Sequence, residues 1–562
     1  MGYATAKGIS KRGFMLRKRC TAIFFTFFAM FVLLLLRVFY FQICAGKSLL
    51  KAAISQRTAN FDIEKPRGDI LDRNLIPLTN RSRKYSIVLM PIYLNKNKEN
   101  LRKVCEILDL DFGIAIKEME SRSSPIFYEV DKERKEKIAA FNLYGVSVIN
   151  SLKRYDESSV AKHIVGYLNG VDGFGEAGIE KYYEDVLKYK GEDAVGIITD
   201  ARSNPVQGLG YRLLKLDGYN DKLNIKLTLD YHIQKIVEDV MDRRGITGAV
   251  VVEDVCSGDV VAMASKPDFK QDRVASYLNS PGKELFNRAA ASYNLGSIFK
   301  IIVAASILES GESIGSNYYC TGAIEAGGRM FRCSSYKKGG HGFIDLREAF
   351  AQSCNTYFIN AGITLGYGNL INMAGRFGLG KTTGVNRQGV EEASGNLPSA
   401  SAYYSAGDIA NISIGQGEIM ATPLQVADMT ATIANGGIRN RVNIADSVVD
   451  NSGKKVRDLK NVEGKRVVAK ETADAIKSLM EEVTETGTGK KAALKDYGGA
   501  AGKTGSAETG EDNVIHAWFA GYFPRRNPRY SIAVFAEGGR SGGDVAAPVF
   551  AEIAEEIMKK GF

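Results

Sequence analysis

Three short motifs in the second half of the chain combine residue types that can perform serine acyl transfer. They are Ser297-Ile-Phe-Lys300, Ser353-Cys-Asn355 and Lys503-Thr-Gly505, in that order. Any one of them arises by chance, but Ser-x-x-Lys, Ser-x-Asn and Lys-Thr-Gly together describe an acyl-transfer site that needs no histidine. The sequence therefore predicts that Ser297 is a nucleophile and that the other motifs assist it.

The spacing of Ser297 and Lys300 suits a nucleophile and its base. A serine hydroxyl is a poor nucleophile at neutral pH and needs a base within hydrogen-bond reach. Residues three apart share one face of a helix. Lysine acts as a base only where burial or a neighbouring cation lowers its pKa. The apolar run after Lys300 predicts a buried helix, and Lys503 is the candidate neighbouring cation. None of the four histidines sits in a recognised triad context.

A long apolar run near the N-terminus predicts a membrane anchor over residues 20–43. About 20 apolar residues cross a bilayer core. The preceding residues 1–19 carry six basic side chains, and no acidic residue occurs before Asp62. This asymmetry predicts a cytoplasmic basic tail, with the rest of the chain outside. A cleaved signal peptide has a shorter apolar region followed by small residues, which fits less well. We do not expect the basic tail to bind nucleic acid.

The remainder of the chain divides by pattern into a mixed segment, residues 44–220, and an α+β catalytic unit, residues 221–562. Apolar runs predict an antiparallel sheet flanked by helices, with Lys503-Thr-Gly505 on a strand at its edge. The predicted strands are Gly248–Val255, Val260–Ala264, Ala517–Phe523 and Tyr530–Glu537. The predicted helices are 297–310, 345–361, 368–377, 422–435 and 547–558.

Further motifs make the chain resemble a class B penicillin-binding protein, a membrane-anchored transpeptidase of peptidoglycan synthesis. They extend the likeness from about residue 20 to the C-terminus. The upstream ones are Arg67-Gly-Asp-Ile-Leu-Asp-Arg-Asn74, Gly175-Glu-Ala-Gly-Ile-Glu180 with Tyr183-Glu184, and Leu227-Thr-Leu-Asp230 with Gln234. Gly415-Gln-Gly417 and Thr422-Pro-Leu-Gln425 resemble a helical stretch between the second and third catalytic motifs. No Glu-Asp-x-x-Phe signature of a glycosyltransferase domain occurs, which disfavours the bifunctional class A form.

This resemblance implies a penicillin-binding transpeptidase fold on an N-terminal pedestal, the non-catalytic mixed domain. It also implies a role for each motif residue. Ser353 is expected to relay a proton between Lys300 and the leaving or attacking amine, and Asn355 is expected to bind a substrate amide. Lys503 and Thr504 bind the terminal carboxylate of the substrate, Gly505 lets an extended substrate lie along the strand, and the backbone N–H of Ser506 joins that of Ser297 in the oxyanion hole. Trp518 is expected to pack the sheet.

One departure from the family pattern lies at the nucleophile. The family commonly has Pro-Gly-Ser-Thr where this chain has Leu295-Gly-Ser-Ile298. Neither Ser297 nor Lys300 is altered, so we expect catalysis to be retained. We expect this change to affect the rate of acylation and the affinity for β-lactams.

The cysteines form a second candidate site. Cys320, Cys333, His341 and Cys354 fall within 35 residues, and Cys354 is inside the Ser-x-Asn motif. Thiolate and imidazole ligands suit tetrahedral zinc. Three interpretations remain open: a structural zinc held by Cys320, Cys333 and His341 with Cys354 or Asp345 as fourth ligand, a Cys320–Cys333 disulfide, or free thiols. The family resemblance implies that no cofactor is required.

The sequence as a whole predicts a D,D-transpeptidase that β-lactams acylate at Ser297. Its expected partners are peptidoglycan stem peptides, the membrane, a polytopic glycosyltransferase and divisome-type proteins, in cell division or sporulation. A D,D-carboxypeptidase or β-lactamase, in which water resolves the acyl-enzyme, is the enzymatic alternative. The other alternative is a β-lactam sensor or a catalytically idle scaffold.

Overall fold

The structure is a computed structural model of the 562-residue chain. It describes residues 6–46, 49, 58–61, 67–122, 125–141, 143–170, 172–188, 194–198, 211–214, 222–311, 318–401, 404–510 and 514–562. The predicted boundary between residues 220 and 221 lies outside the described residues.

The described chain contains both helices and strands. The helices are α1 (Ala6–Phe39), α2 (Pro91–Leu94), α3 (Lys98–Leu108), α4 (Phe112–Ser121), α5 (Lys132–Phe141), α6 (Lys162–Val165), α7 (Gly178–Tyr182), α8 (Glu184–Leu187), α9 (Tyr231–Arg243), α10 (Lys300–Ser310), α11 (Leu346–Ala351), α12 (Asn355–Leu365), α13 (Tyr367–Arg376), α14 (Ala406–Ser413), α15 (Pro423–Ala434), α16 (Lys470–Glu485) and α17 (Ala547–Lys559). The strands are β1 (Thr58–Phe61), β2 (Ile70–Leu71), β3 (Ser82–Leu89), β4 (Ile126–Val130), β5 (Val146–Lys153), β6 (Ala194–Ile198), β7 (Tyr211–Leu214), β8 (Asn224–Leu227), β9 (Gly248–Asp254), β10 (Val260–Lys266), β11 (Tyr293–Asn294), β12 (Tyr318–Cys320), β13 (Ala323–Ala326), β14 (Arg329–Arg332), β15 (Gly342–Ile344), β16 (Met420–Ala421), β17 (Ile438–Arg439), β18 (Ala445–Val449), β19 (Lys455–Asp458), β20 (Lys465–Arg466), β21 (Ala501–Glu508), β22 (Ile515–Phe523) and β23 (Tyr530–Ala536).

One helix among the described residues is long and apolar enough to cross a membrane. This segment, Phe14–Ile43, contains an 18-residue stretch with a mean hydropathy of 2.5, none of which is buried. It is consistent with the predicted anchor. Helix α1 begins at Ala6, well before Cys20, so part of the predicted basic tail is helical and continuous with the apolar segment.

The described residues form two compact units. The first comprises the described parts of residues 1–66, 85–149 and 190–219, and the second comprises the described parts of residues 67–84, 150–189 and 220–562. Residues 67–84 and 150–189, which the sequence assigned to the pedestal, belong to the second unit, while the predicted bounds 44–220 and 221–562 stay a prediction. In the first unit, strands in the order β4-β3-β5 share a core with helices α3, α4 and α5.

A five-stranded antiparallel sheet in the order β10-β9-β23-β22-β21 dominates the second unit. Successive side chains in a strand face opposite sides, so each strand contributes to two cores. Val250 and Phe519 face one core with helices α9 and α17, whereas Val251 and Trp518 face the other with α10 and α15. The predicted α+β fold, with an antiparallel sheet covered by helices on both sides, is confirmed.

The predicted single helix over residues 345–361 is wrong, because two helices occupy this region. Helix α11 ends at Ala351 and α12 begins at Asn355. Ser353, between them, has φ of +55°, which an α-helix does not accommodate. The remaining predicted helices and strands agree with the structure within a few residues.

Candidate active site

The candidate nucleophile lies in a tight turn pressed against the edge strand β21. Ser297 belongs to the 3₁₀ turn Gly296–Phe299, which leads directly into α10. Gly296 has φ of +53°, and a Cβ at this position would lie 2.4 Å from the carbonyl oxygen of Ser506. Only glycine tolerates both conditions. Gly296 therefore allows the backbone of the nucleophile turn to lie directly beside the backbone of β21.

Two further contacts fix this turn. The N–H of Gly296 donates to the carbonyl oxygen of Gly415 at 2.9 Å, and Trp518 Nε1 donates to the carbonyl oxygen of Asn294 at 3.0 Å. Gly415 has φ of +71° and lies in a turn after α14, not within the helical stretch that the sequence suggested. Trp518 is fully buried, as expected of a residue that packs the sheet.

Lys300 is fully buried and reaches the second motif. Its Nζ donates to the carbonyl oxygen of Ser353 at 2.7 Å, to Ser353 Oγ at 3.1 Å and to Asn355 Oδ1 at 2.7 Å. Burial lowers the pKa of Lys300 to about 8, although the nearby Cys354 and Cys333 thiols oppose this. No hydrogen bond joins Ser297 to Lys300 among the described residues. Such bonds often tighten only in a substrate complex.

Lys503 reaches the same serine from the third motif. Its Nζ donates to Ser353 Oγ at 2.9 Å and to the carbonyl oxygen of Thr504 at 3.0 Å, and its side chain is fully buried. Burial and the positive charge of Lys300 lower the pKa of Lys503 well below its usual value. The sequence interpretation expected Lys503 to lower the pKa of Lys300. In the structure, burial lowers the pKa of Lys300, and the positive charge of Lys300 instead lowers the pKa of Lys503.

Ser353 connects the two lysines because of its unusual backbone. A positive φ is uncommon for a residue other than glycine and often marks a functional site. The turn places Ser353 Oγ within 3.1 Å of both Nζ atoms. Asn355, at the start of α12, accepts from Lys300 and donates through Nδ2 to the carbonyl oxygen of Arg332 at 3.1 Å. Four of the predicted catalytic residues thus form one hydrogen-bonded group, with Ser297 one helical turn from Lys300.

The predicted substrate-binding residues line strand β21. Gly505 lies between Ile298 and Gly542: a Cβ on Gly505 would be 2.7 Å from Ile298, and a Cβ on Gly542 would be 2.4 Å from the carbonyl oxygen of Gly505. Ser506 is exposed, and its Oγ accepts from the N–H of Gly542 at 3.3 Å. Thr504 is 6% exposed. Gly542 was not predicted from the sequence, where only its Gly-Gly pair with Gly543 could have indicated it.

The candidate metal ligands converge beside the second motif. The ligand atoms of Cys320, Cys333, His341 and Cys354 all lie within 4.8 Å of one another. None of the three cysteines forms a disulfide. Cys354 completes this cluster, whereas Asp345 instead caps α11 by accepting from the N–H of Glu348 at 2.8 Å. The backbone turn that presents Ser353 to the lysines therefore presents Cys354 to the cluster.

Comparison with known proteins identifies the domains. A family model of the penicillin binding protein transpeptidase domain matches residues 248–555, and one of the penicillin-binding protein dimerisation domain matches residues 62–207. Stage V sporulation protein D of Bacillus subtilis is 28% identical over 96% of this chain and 85% of that protein. Peptidoglycan D,D-transpeptidase MrdA of Salmonella typhimurium is 29% identical over 88% of each chain.

The solved structures agree with these matches. A chain from the structure described as "Structural coordination of polymerization and crosslinking by a peptidoglycan synthase complex" has a TM-score of 0.71 and 26% identity, over 96% of this chain and 97% of that one. The family and fold that the sequence predicted are thereby confirmed. The transpeptidase-domain match alone spans more than half of the chain, and the dimerisation-domain match precedes it. The chain therefore belongs to the class B penicillin-binding proteins.

Proposed function

We propose that this chain is a serine D,D-transpeptidase that crosslinks peptidoglycan stem peptides. The observation that carries the proposal is the buried group of Lys300, Lys503 and Ser353 beside the Ser297 turn. Ser297 Oγ attacks the carbonyl of the penultimate D-alanine, and the terminal D-alanine leaves. The amine of a neighbouring stem peptide then attacks the acyl-enzyme, which forms the crosslink and frees Ser297.

The hydrogen bonds of the site support a role for each residue in moving the proton. Neutral Lys300 takes the proton of the Ser297 hydroxyl as the new C–O bond forms. Ser353, which contacts both lysines, passes a proton to the amine of the leaving D-alanine. Asn355 holds Lys300 through its Oδ1. The N–H groups of Ser297 and Ser506 stabilise the oxyanion. Removing one such donor typically lowers the rate by about 10²–10³-fold.

Strand β21 supports binding of an extended stem peptide. Its outer edge is free of strand neighbours in the described sheet, so a substrate can add to it as a further strand. Thr504, Ser506 and Lys503 would bind the terminal carboxylate, whose negative charge favours the protonated form of Lys503. A β-lactam with a carboxylate beside its reactive carbonyl presents the same groups, and it would remain attached to Ser297.

Labelling with a fluorescent penicillin followed by peptide mass mapping tests this function. We expect one adduct, on the peptide that contains Ser297. An adduct on another side chain, or no adduct on folded protein, would refute the proposal. Release of the label within minutes would instead favour a carboxypeptidase or β-lactamase, in which water resolves the acyl-enzyme. Growth and crosslinking that continue unchanged without Ser297 would favour an idle scaffold.

The rate of acylation should depend on pH through Lys300. A base acts in its neutral form, and Lys300 loses its proton as the pH rises through about 8. Below this pH, the rate should rise by about tenfold per unit, and above it the rate should level off. Stopped-flow acylation by penicillin from pH 5.5 to 9.5 measures the profile. A rate that is independent of pH below 7 would contradict the assignment of Lys300 as the base.

We also propose that the chain is a single-pass membrane protein with its N-terminus in the cytoplasm. The apolar segment Phe14–Ile43 and the basic residues before it support this topology. The catalytic unit would then face the peptidoglycan, where a polytopic glycosyltransferase supplies glycan strands for crosslinking. Divisome-type proteins, in division or sporulation, are the further expected partners.

The cysteine cluster supports a structural zinc site. Zinc binds thiolates at about 2.3 Å and imidazole nitrogen at about 2.0–2.1 Å in tetrahedral geometry, so S···S and S···N distances of about 3.8 and 3.5 Å are expected. Cys333 and Cys354 Sγ lie 3.8 Å apart, and His341 Nδ1 lies 3.5 Å from both Cys320 and Cys333 Sγ. Zinc bound by Cys320, Cys333, His341 and Cys354 would hold the Ser353 turn.

Metal analysis of the full-length chain tests the zinc site. We expect one equivalent of zinc, lost in Cys320→Ser and His341→Asn, together with a lower thermal midpoint after chelation. Cys256→Ser is the matched control, because Cys256 is exposed and lies outside the cluster. Purified protein without stoichiometric zinc would refute this site and leave the transpeptidase proposal untouched.

A further inference from the structure

A hydroxyl outside the three motifs contacts the predicted carboxylate-binding strand. Thr488 Oγ1 lies 2.6 Å from Thr504 Oγ1. Thr488 is exposed and lies in the turn after α16, whereas Thr504 is 6% exposed. Thr504 and Ser506 alternate with Lys503 and Gly505 along β21, so the two hydroxyls share one face of the strand. Thr488 therefore extends this pair to a row of three hydroxyls.

The backbone on both sides holds Thr488 in place. Its N–H donates to the carbonyl oxygen of Ala351 at 3.1 Å, at the end of α11. On the other side lies Gly543, where a Cβ would be 2.7 Å from the carbonyl oxygen of Thr488. The Thr488 hydroxyl thus contacts Thr504 from a fixed position.

The direction of this hydrogen bond decides whether Thr504 can bind an anion. Each hydroxyl has one hydrogen to donate. If Thr504 donates to Thr488, it has no hydrogen left for a carboxylate, which can only accept. If Thr488 donates to Thr504, the Thr504 hydrogen is free, and the two bonds in series strengthen each other. An arriving carboxylate therefore selects the second arrangement.

From this geometry we propose that Thr488 is a positioning residue for carboxylate recognition. It donates to Thr504 and so orients the Thr504 hydroxyl toward the terminal carboxylate of a stem peptide or a β-lactam. This inference rests on the proposed function, since it assigns a role within the same site. Without the Thr488 hydroxyl, the contact between Thr504 and the carboxylate weakens, and acylation by anionic ligands slows about tenfold.

The test compares two ligands that differ only in the carboxylate. Acylation rate constants at low ligand concentration are measured for a penicillin and for its methyl ester, with the full-length chain and its variants. In Thr488→Val the ratio of the two rates, acid over ester, should fall about tenfold. Thr488→Ser should restore the ratio. Thr486→Val is the matched control, because this neighbouring hydroxyl donates only to Glu482.

Two outcomes would overturn the inference. An equal loss for both ligands would mean that Thr488 only supports the fold, and an unchanged ratio would mean that it does not act on the carboxylate. If Thr488→Val does not fold, Thr488→Ala with the same two ligands decides between these results. Absence of any Ser297 adduct in the unmodified chain would instead refute the proposed function itself. A failure of the Thr488 inference can therefore be distinguished from a failure of the proposed function.

Discussion

Ser297→Ala is expected to abolish covalent labelling by penicillin, a loss of about 10⁴-fold or more. The lysines and Ser353 remain in this variant, but they can only move protons to and from an attacking oxygen that is no longer present. Reversible binding of the ligand should persist, because strand β21 and its hydroxyls are unchanged. Gel fluorescence and intact-mass measurement would report the adduct, and a competition assay would report binding.

Ser306→Ala is the matched control for this result. Ser306 lies on α10, the helix that follows the Ser297 turn, and it is buried, but its Oγ donates to the carbonyl oxygen of Ile302 at 3.0 Å. The Ser306→Ala variant should be labelled by penicillin to the same extent as the unmodified chain. A persisting adduct in Ser297→Ala would show that another residue is the nucleophile. Loss of labelling in both variants would point to a damaged helix α10, and the thermal midpoints would reveal this.

The sequence could predict which residues form the site because each motif is short and has a fixed spacing. Ser297 and Lys300 are three apart on a helical segment, so their proximity follows from helix geometry. The convergence of Lys300, Ser353, Asn355 and Lys503 depends on contacts more than 50 residues apart in the chain. The spacing of residues within a motif cannot predict such contacts between motifs. They were expected because of the family resemblance.

The features that were missed depend on backbone conformation at single residues. The segment 345–361 has an apolar pattern typical of one helix, and nothing in Ser353 itself favours a positive φ. The break follows from tertiary contacts, in which two lysines hold Ser353 Oγ and Cys354 packs beside Cys333. Thr488 was missed for a related reason. Its contact with Thr504 joins the third motif on β21 to a turn after α16 that we did not recognise as part of any motif.

Replacing Glu180 is expected to destabilise the second unit strongly. The first two of the three upstream family motifs meet at this residue, whose side chain is fully buried. Arg67 Nε donates to Glu180 Oε2 at 2.6 Å, while Arg154 Nε and Tyr155 Oη donate to Oε1 at 2.7 and 2.8 Å. Removing one partner of a buried ion pair typically costs about 3–5 kcal/mol, because the remaining charge stays buried.

Glu180→Gln should therefore lower the free energy of unfolding by about 3 kcal/mol, at the lower end of this range. Arg67 keeps an ion pair with Glu184 at 2.6 Å, so most of the loss arises at Arg154, whose side chain is 13% exposed. Urea unfolding of the detergent-solubilised chain, followed by fluorescence, measures the effect. In the double variant Arg154→Met/Glu180→Gln, the loss should be smaller than the sum of the single losses, because the uncompensated charge is gone.

Glu176→Gln tests whether this loss depends on the buried network. Glu176 belongs to the same motif, but it is exposed and its Oε1 accepts from Asn169 Nδ2 at 3.2 Å. The unfolding midpoint of Glu176→Gln should therefore match that of the unmodified chain. If Glu180→Gln were as stable as Glu176→Gln, the ion pairs would contribute nothing net to folding. A fully additive double variant would show that Arg154 and Glu180 act separately. Either result would contradict the view that these two motifs stabilise the second unit through one shared carboxylate.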